Sequence, residues 1–176
     1  EGAAGADVAK GATEVLKEKG IAFTPLQWSN EAVQDPALSV PVLVAYLEAN
    51  PDTKAIIVPG HGGITAVLDK VLKQAGKQPG EVVTSGFDIS SAAIQGVRDG
   101  YITVVLDQQP YLQGFYTVLE MFLFKLSGGL TGPSEINTGL KFITKGGVEP
   151  YLKTQSRFEG NSKEQKLIER SGPISG

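Results

Sequence analysis

Predicted strands and helices alternate along most of this chain. Residues 55–58 (AIIV) form a continuous apolar run, which is typical of a strand buried on both faces. In the helix that follows, apolar residues recur at the spacing of one helical face. Further strands are predicted at 21–28, 82–87, 102–106 and 140–144, and further helices at 39–48, 91–98 and 110–127. This order predicts an α/β fold with a doubly wound parallel sheet, because right-handed crossovers join successive strands.

Polar side chains follow two of the predicted strands. Asp88 comes directly after the strand at 82–87, and Asp107, Gln108 and Gln109 come directly after the strand at 102–106. Ligands of open parallel sheets sit at the carboxyl ends of the strands. A carboxylate there can accept hydrogen bonds from two adjacent hydroxyls of a polyol, and an amide can both donate and accept. The alternatives are that Asp88 caps a helix and that the amides satisfy backbone groups in a loop. Asp107 could equally face solvent or cap the helix at 110–127.

Three more side chains are candidates for ligand contact at the same edge of the sheet. His61 lies in the loop Gly60-His61-Gly62-Gly63, between a strand and a helix, and could instead be a simple loop or cap residue. Trp28 ends a predicted strand and could stack on the C–H face of a sugar, or pack under a loop. Lys10, in the first helix, could reach back to the cleft or be solvated.

Several kinds of site are excluded by residue types that the sequence lacks. There is no cysteine, which excludes disulfides, thiol catalysis and cysteine-ligated metals, and a single histidine excludes a multi-histidine zinc site within this chain. Neither G-x-G-x-x-G, G-x-x-x-x-G-K-[ST] nor G-x-S-x-G is present. The net charge is −3 with no basic tract, which argues against a nucleic-acid partner. We predict neither a cofactor nor a metal.

Two features predict that this chain needs a partner. It begins with a helix that has no strand before it, although a β-α-β unit requires one. The helix at 110–127 is apolar nearly all round, whereas one stripe is enough for a helix on the surface of a small domain. Because it contains Glu120 and Lys125, we do not expect it to span a membrane. A second polypeptide or a preceding segment should therefore supply a strand and a covering layer.

Four segments of the sequence carry a family likeness. They are residues 85–88 (SGFD), 95–100 (QGVRDG), 107–114 (DQQPYLQG) and 136–139 (INTG). Together they resemble the ribose-binding-like periplasmic sugar-binding proteins of ABC importers, over most of the chain to about Gly160. Members of that family have two lobes of the type I fold, each a doubly wound sheet, joined by three crossovers with the sugar between them.

The resemblance implies a division of the chain. Residues 1–108 correspond to the C-terminal lobe, and 109–139 to the hinge and a helix that packs on the other lobe. Residues 140–155 correspond to the return crossover, and 156–176 form a polar tail that we expect to be poorly ordered. The first strand and most of the N-terminal lobe would then lie outside this sequence, in the same polypeptide or a second one.

The resemblance also implies a site and a function. The ligand aspartate of the family falls on Asp88, its hinge glutamine on Gln108, a polar ligand residue on His61 and a basic ligand residue on or near Lys10, while Trp28 is our candidate for stacking. Such a protein binds a monosaccharide or related polyol, is not an enzyme, and delivers its ligand to an ABC permease. It is periplasmic or extracellular, or anchored to the membrane as a lipoprotein.

Two alternative functions remain open from the sequence. The first is the ligand-sensing domain of a transcriptional regulator of the lactose-repressor class, which shares this fold. The second is an α/β enzyme that uses a phosphate or a nucleotide, although the absence of a complete glycine motif argues against it.

Overall fold

The computed structural model describes residues 3–129, 132–133 and 135–152, so the predicted polar tail lies outside the described residues. The helices are α1 (Ala3–Glu18), α2 (Asn30–Gln34), α3 (Ser39–Ala49), α4 (Gly62–Gln74), α5 (Ser91–Asp99), α6 (Pro110–Leu126) and α7 (Glu149–Leu152). The strands are β1 (Ala55–Ile57), β2 (Val83–Phe87), β3 (Val104–Asp107) and β4 (Lys141–Ile143). Short 3-10 helices cover Pro36–Leu38 and Lys145–Gly147.

The four strands form one sheet in the order β1-β2-β3-β4. β1, β2 and β3 are parallel, and β4 joins β3 in the antiparallel direction. Helix α4 connects β1 to β2, and α5 connects β2 to β3. The prediction of an α/β fold with a mainly parallel sheet is confirmed. Because β2 and β3 are parallel neighbours, the residues that follow them emerge side by side at one edge of the sheet.

The hydrophobic core lies between one face of the sheet and a layer of four helices, α3, α4, α5 and α7. Apolar side chains along one side of α4 contribute to this core, and Leu68 and Val71 are completely buried in it. Val105 and Ile143 meet them from β3 and β4. Truncation of a core leucine of this kind to alanine typically costs about 2–5 kcal/mol of stability.

The opposite face of the sheet is uncovered in the described part of the chain. Ile57, Val83 and Phe142 lie on it and are 45%, 54% and 62% exposed. The prediction that the strand at 55–58 is buried on both faces is therefore wrong, because the helices in contact with the sheet pack on one side only. None of the described side chains of α1 is buried either, and Val15 in that helix is 55% exposed.

The predicted strand at 21–28 is not a strand. The segment has no ladder partner in the described residues, and a strand requires a neighbour to bond its backbone groups. Leu26 and Trp28 within it pack against the core instead. The polar segment after it contains α2, whose N-cap Ser29 accepts a hydrogen bond from the Ala32 amide at 3.2 Å. Ser39 begins α3 but does not cap it, because its hydroxyl donates to the carbonyl of Pro36 at 2.6 Å.

Helix α6 exposes most of its apolar side chains, as its composition predicted. Leu112 is the only buried residue of this fully described helix. Val118, Met121, Phe122 and Leu126 are between 60% and 72% exposed. None of the helices in the described ranges combines the length and hydropathy that a membrane-spanning helix needs.

Candidate functional site

Asp88 and Gln108 meet at the carboxyl ends of β2 and β3. In the register of these strands, Phe87 lies opposite Leu106, so the residues that follow are brought to the same edge. The Nε2 of Gln108 donates a hydrogen bond to Oδ1 of Asp88 at 2.6 Å. The structure therefore brings together the two residues that the sequence singled out most strongly, and their contact with a ligand stays a prediction.

Asp88 has an unusual backbone conformation. Its φ is +67°, in the left-handed region that costs a non-glycine residue roughly 1 kcal/mol or more. Its amide still continues the ladder, donating to the carbonyl of Leu106 at 3.0 Å. Asp88 does not cap α5, because the hydroxyl of Ser90 occupies that position and accepts from the Ala93 amide at 3.1 Å. The exposed carboxylate of Asp88 therefore lies at the end of the strand and does not cap a helix.

Gly62 allows the start of α4 to approach Asp88. A Cβ atom at this glycine would lie 2.7 Å from Cβ and 2.8 Å from Oδ2 of Asp88. No side chain fits at such distances without displacement of the carboxylate. In the sequence, the only signal for this contact is the glycine-rich loop around His61, which is more readily interpreted as a phosphate-binding loop.

The two neighbouring amides have different environments. Gln108 is partly exposed and bonds Asp88, and its backbone carbonyl accepts from Nε2 of Gln113 at 2.8 Å. Gln109 is completely buried, and its Nε2 donates to the carbonyl of Thr138 at 3.1 Å. The alternative role of an amide that satisfies backbone groups therefore describes Gln109, and the contributions of Gln113 and Thr138 were missed from the sequence.

Asp107, the last residue of β3, is buried, so it neither faces solvent nor caps α6, whose N-cap position is Gln109. The side chain of Asp107 is 0% exposed. Its Oδ1 accepts a hydrogen bond from the backbone amide of Gln109 at 2.8 Å. This contact fixes the chain between β3 and α6. Asp107 thus belongs to the support beneath the site, whereas Asp88 lies at its surface.

His61 is the N-cap of α4, which was the alternative to a ligand contact. Its Nδ1 accepts from the Ile64 amide at 3.2 Å, and its Nε2 lies 3.1 Å from the carbonyl of Val33. Because Nδ1 accepts from the Ile64 amide, Nε2 is the nitrogen that can donate to the Val33 carbonyl. A sugar that contacts either nitrogen would have to replace a protein partner, so the role of His61 in binding stays a prediction.

Lys10 and Trp28 have other partners in this structure. The ammonium of Lys10, on an exposed side chain, lies 4.0 Å from the carboxylate of Glu14 one turn along α1. Trp28 is partly buried against the core, which was the alternative to sugar stacking. Within the described ranges, no hydrogen bond or ion pair joins either residue to the Asp88–Gln108 pair, and their ligand contacts stay predictions. No metal-binding group of acidic or histidine side chains occurs in the described part of the chain.

The sequence matches a known domain. A family model described as a periplasmic binding protein domain matches residues 3–125, which is more than half of the chain. The chain belongs to this family. Among relatives of this periplasmic binding protein domain is the xylose/arabinose-binding protein XylF of Sulfolobus acidocaldarius. It is 38% identical over 122 residues, which are 67% of this chain and 30% of XylF.

Solved structures of ABC transporter proteins share this fold. A periplasmic ribose ABC transporter structure from Conexibacter woesei matches with a TM-score of 0.69 and 22% identity, over 83% of this chain and 48% of that one. An ABC transporter solute binding protein from Agrobacterium vitis, with bound D-fucose, matches with a TM-score of 0.67 and 26% identity, over 82% and 48%. The resemblance to sugar-binding proteins of ABC importers and the type I lobe are confirmed. The chain spans about half or less of the length of each relative, and the boundaries at 108, 139 and 155 stay predictions.

Proposed function

We propose that this chain forms most of the C-terminal lobe of a sugar-binding component of an ABC importer. Its ligand is a monosaccharide or related polyol, held in a cleft between this lobe and a second one. The observation that carries the proposal is the 2.6 Å hydrogen bond between Gln108 and Asp88. It places an acceptor and an amide at the edge of the sheet where α/β proteins bind ligands.

The chemistry of this pair suits a ligand with adjacent hydroxyls. An ionised carboxylate offers about four lone-pair sites, and the amide of Gln108 occupies one of them in Asp88. The carboxylate retains capacity for two hydroxyl donors. The oxygen and second N–H of Gln108 can accept from and donate to a further hydroxyl. No Lys or Arg lies within ion-pair distance of Asp88 among the described residues, so a neutral ligand fits better than an anionic one.

Closure of a second lobe would complete this site. Asp88 is exposed here, and a hydrogen bond to sugar strengthens when water is excluded from around it. The uncovered apolar side chains of α6 support a second lobe as the missing cover, since such a face is rarely left in water. Among the described residues, no strand pairs with the outer edge of β1, and this supports a further strand beside it.

Calorimetry on the complete two-lobed protein tests the proposal. Xylose, arabinose, ribose and D-fucose form the panel. XylF is named for the first two, the Conexibacter woesei protein for ribose, and the Agrobacterium vitis structure holds D-fucose. We expect at least one of them to bind, and Asp88→Ala to abolish the heat of binding. The matched control is Glu48→Gln, which changes an exposed acid of α3 and should leave the affinity unchanged. A wild-type protein that binds no sugar or polyol would contradict the proposal.

Membership of the family supports the rest of the proposal. We infer a binding protein that is not an enzyme and needs no cofactor. Its partner would be an ABC permease. The protein would lie in the periplasm or outside the cell, or be anchored to the membrane as a lipoprotein. Recovery of chemically unchanged sugar after incubation tests the absence of catalysis. The three relatives described above are binding or transport proteins, and none is a lactose-repressor-class regulator. A helix-turn-helix in the preceding sequence, in place of a signal peptide, would favour the regulator.

A further inference from the structure

Gln109 follows Gln108 directly, but its side chain is buried beneath the turn. We propose that Gln109 is a positioning residue that ties the segment after β3 to the segment before β4 and thereby holds Gln108 at Asp88. This inference rests on the proposed function of the Asp88–Gln108 pair. The resemblance to the family assigns a role to Gln108 but none to Gln109.

One hydrogen bond of Gln109 reaches a distant part of the chain, and another fixes the turn locally. Its side-chain Nε2 donates to the carbonyl of Thr138, 29 residues further along, at 3.1 Å. Its backbone amide donates to Oδ1 of Asp107 at 2.8 Å. Both Gln109 and Asp107 are 0% exposed, so water cannot easily take over these bonds. Loss of the donor would leave the carbonyl of Thr138, a partly buried residue, without this partner, which is unfavourable.

The side-chain amides of Gln108 and Gln109 reach different partners, and the backbone of Gln109 turns sharply between them. Its φ and ψ are +59° and +52°, and it shares a positive φ with Asp88 alone among the described non-glycine residues. A residue keeps such a conformation only where its surroundings fix it. The Gln109 carbonyl also accepts from the Leu112 amide at 2.9 Å, at the start of α6. One residue therefore sets both the direction of α6 and the place from which Gln108 reaches Asp88.

The segment that Gln109 binds is itself ordered by a local turn. The Gly139 amide donates to Oδ1 of Asn137 at 2.8 Å, and Gly139 has a φ of +73°. The chain then enters β4, where Lys141 lies opposite Asp107. The segment after β3 and the segment before β4 thus lie side by side at the same end of the sheet. The Gln109 side chain joins them just beyond the last strand pair. A displacement of one segment would be transmitted to the other and to Gln108.

Side-chain NMR tests the inference without any sugar. In the complete protein, we expect one Nε2 proton of Gln108 to show a downfield shift and slowed exchange with water, and Asp88→Asn to reduce both effects. Gln109→Met keeps the length of the side chain but removes the donor, and we expect it to abolish the same signature. A Gln108 signal that is unchanged in Gln109→Met would overturn the inference.

Sugar affinity gives a second readout through a double-mutant cycle. With the best-binding sugar of the panel, we expect Gln109→Met and Gln108→Ala each to lower the affinity about tenfold, the loss typical of one hydrogen bond to a charged group. The double variant should be no worse than the poorer single variant, because Gln109 acts through Gln108. Additive losses would mean that the two residues act independently and would overturn the inference.

Gln109→Asn keeps the test decisive if the methionine variant does not fold. Asparagine tolerates the left-handed conformation but is one methylene too short to keep the Thr138 bond. It should show the same loss of the Gln108 signature in a folded protein. Absence of cooperative unfolding in both variants would overturn the inference, since Gln109 would then be required for the fold as a whole. Failure of wild type to bind sugar would contradict the proposed function, while the NMR result would still decide the role of Gln109.

Discussion

Gln108 and Asp88 are 20 residues apart in the chain, and 2.6 Å separates the amide nitrogen of one from a carboxylate oxygen of the other. The pair exists because β2 and β3 are parallel neighbours whose ends are in register. Helix α5 provides the intervening crossover on the buried side. Everything that fixes the two strand ends therefore also fixes the distance between the two candidate ligand groups.

Gly62→Ala should weaken sugar binding in the complete protein. The added Cβ would lie 2.7 Å from Cβ of Asp88 and would displace the carboxylate. A steric cost of about 1–3 kcal/mol corresponds to a loss of affinity between about fivefold and about 150-fold. Calorimetry measures it, with Gly146→Ala as the control, because a Cβ at that glycine of the 3-10 helix Lys145–Gly147 meets nothing within 4 Å. Equal affinities in both variants would argue against close packing of α4 on Asp88.

Gly86→Ala should destabilise the fold rather than the site alone. A Cβ at Gly86 would overlap the side chain of Thr65, whose hydroxyl donates to the His61 carbonyl and accepts from the Phe87 amide, both at 3.1 Å. We expect a loss of about 1–3 kcal/mol in the free energy of unfolding, measured by urea titration. Gly11→Ala in α1 is the control, since it has open space and should be neutral or stabilising. If Gly86→Ala unfolds at the same urea concentration as the wild type, the packing described for β2 and α4 is contradicted.

Substitutions of His61 separate a cap from a ligand contact. His61→Ala removes the side chain that accepts from the Ile64 amide and should cost about 1 kcal/mol of stability, a typical value for an N-cap. His61→Asn restores a capping oxygen and should recover most of that stability. If sugar affinity also returns in the asparagine variant, either residue suffices at the site. If affinity stays low while stability recovers, a direct contact of the imidazole with the ligand is supported.

Asp99 should contribute to stability in a pH-dependent way. Hydrogen bonds from Gln95, with a smaller contribution from Arg98, hold the pKa of its carboxyl below the ordinary value. A carboxyl with a lower pKa in the folded state stabilises the fold above the unfolded pKa, and this stabilisation is lost as the pH falls below about 4. Denaturant titrations should therefore show a shallower loss of stability with acid for Asp99→Asn than for wild type. Parallel curves would contradict this role.

Much of the fold can be predicted because the relevant signals are local. The apolar runs that form β1 and β3, and the periodicity of α4, are determined by side chains close together in sequence. The meeting of Asp88 and Gln108 then follows from the rule that parallel strands present their carboxyl ends at one edge. The strand predicted at 21–28 fails for the opposite reason, since its ladder would need a partner that the described residues do not supply.

The details of the site depend on contacts that no local pattern encodes. Gln109 is distinguished from Gln108 by a bond to Thr138, 29 residues away, and by a left-handed turn that this bond supports. Gly62 matters because Asp88, at the end of β2, packs directly against it. Sequence reasoning finds the glycine and the two amides, but it cannot say which atom lies against which until the chain is folded.

The positive φ of Asp88 has an evolutionary consequence. Glycine or asparagine would occupy this conformation with less strain than aspartate, so either could make the lobe more resistant to heat while it weakens the candidate site. Selection for thermal tolerance and selection for uptake would then act on this position in opposite directions. Among variants evolved only for resistance to heat, position 88 is where we expect function to be lost first.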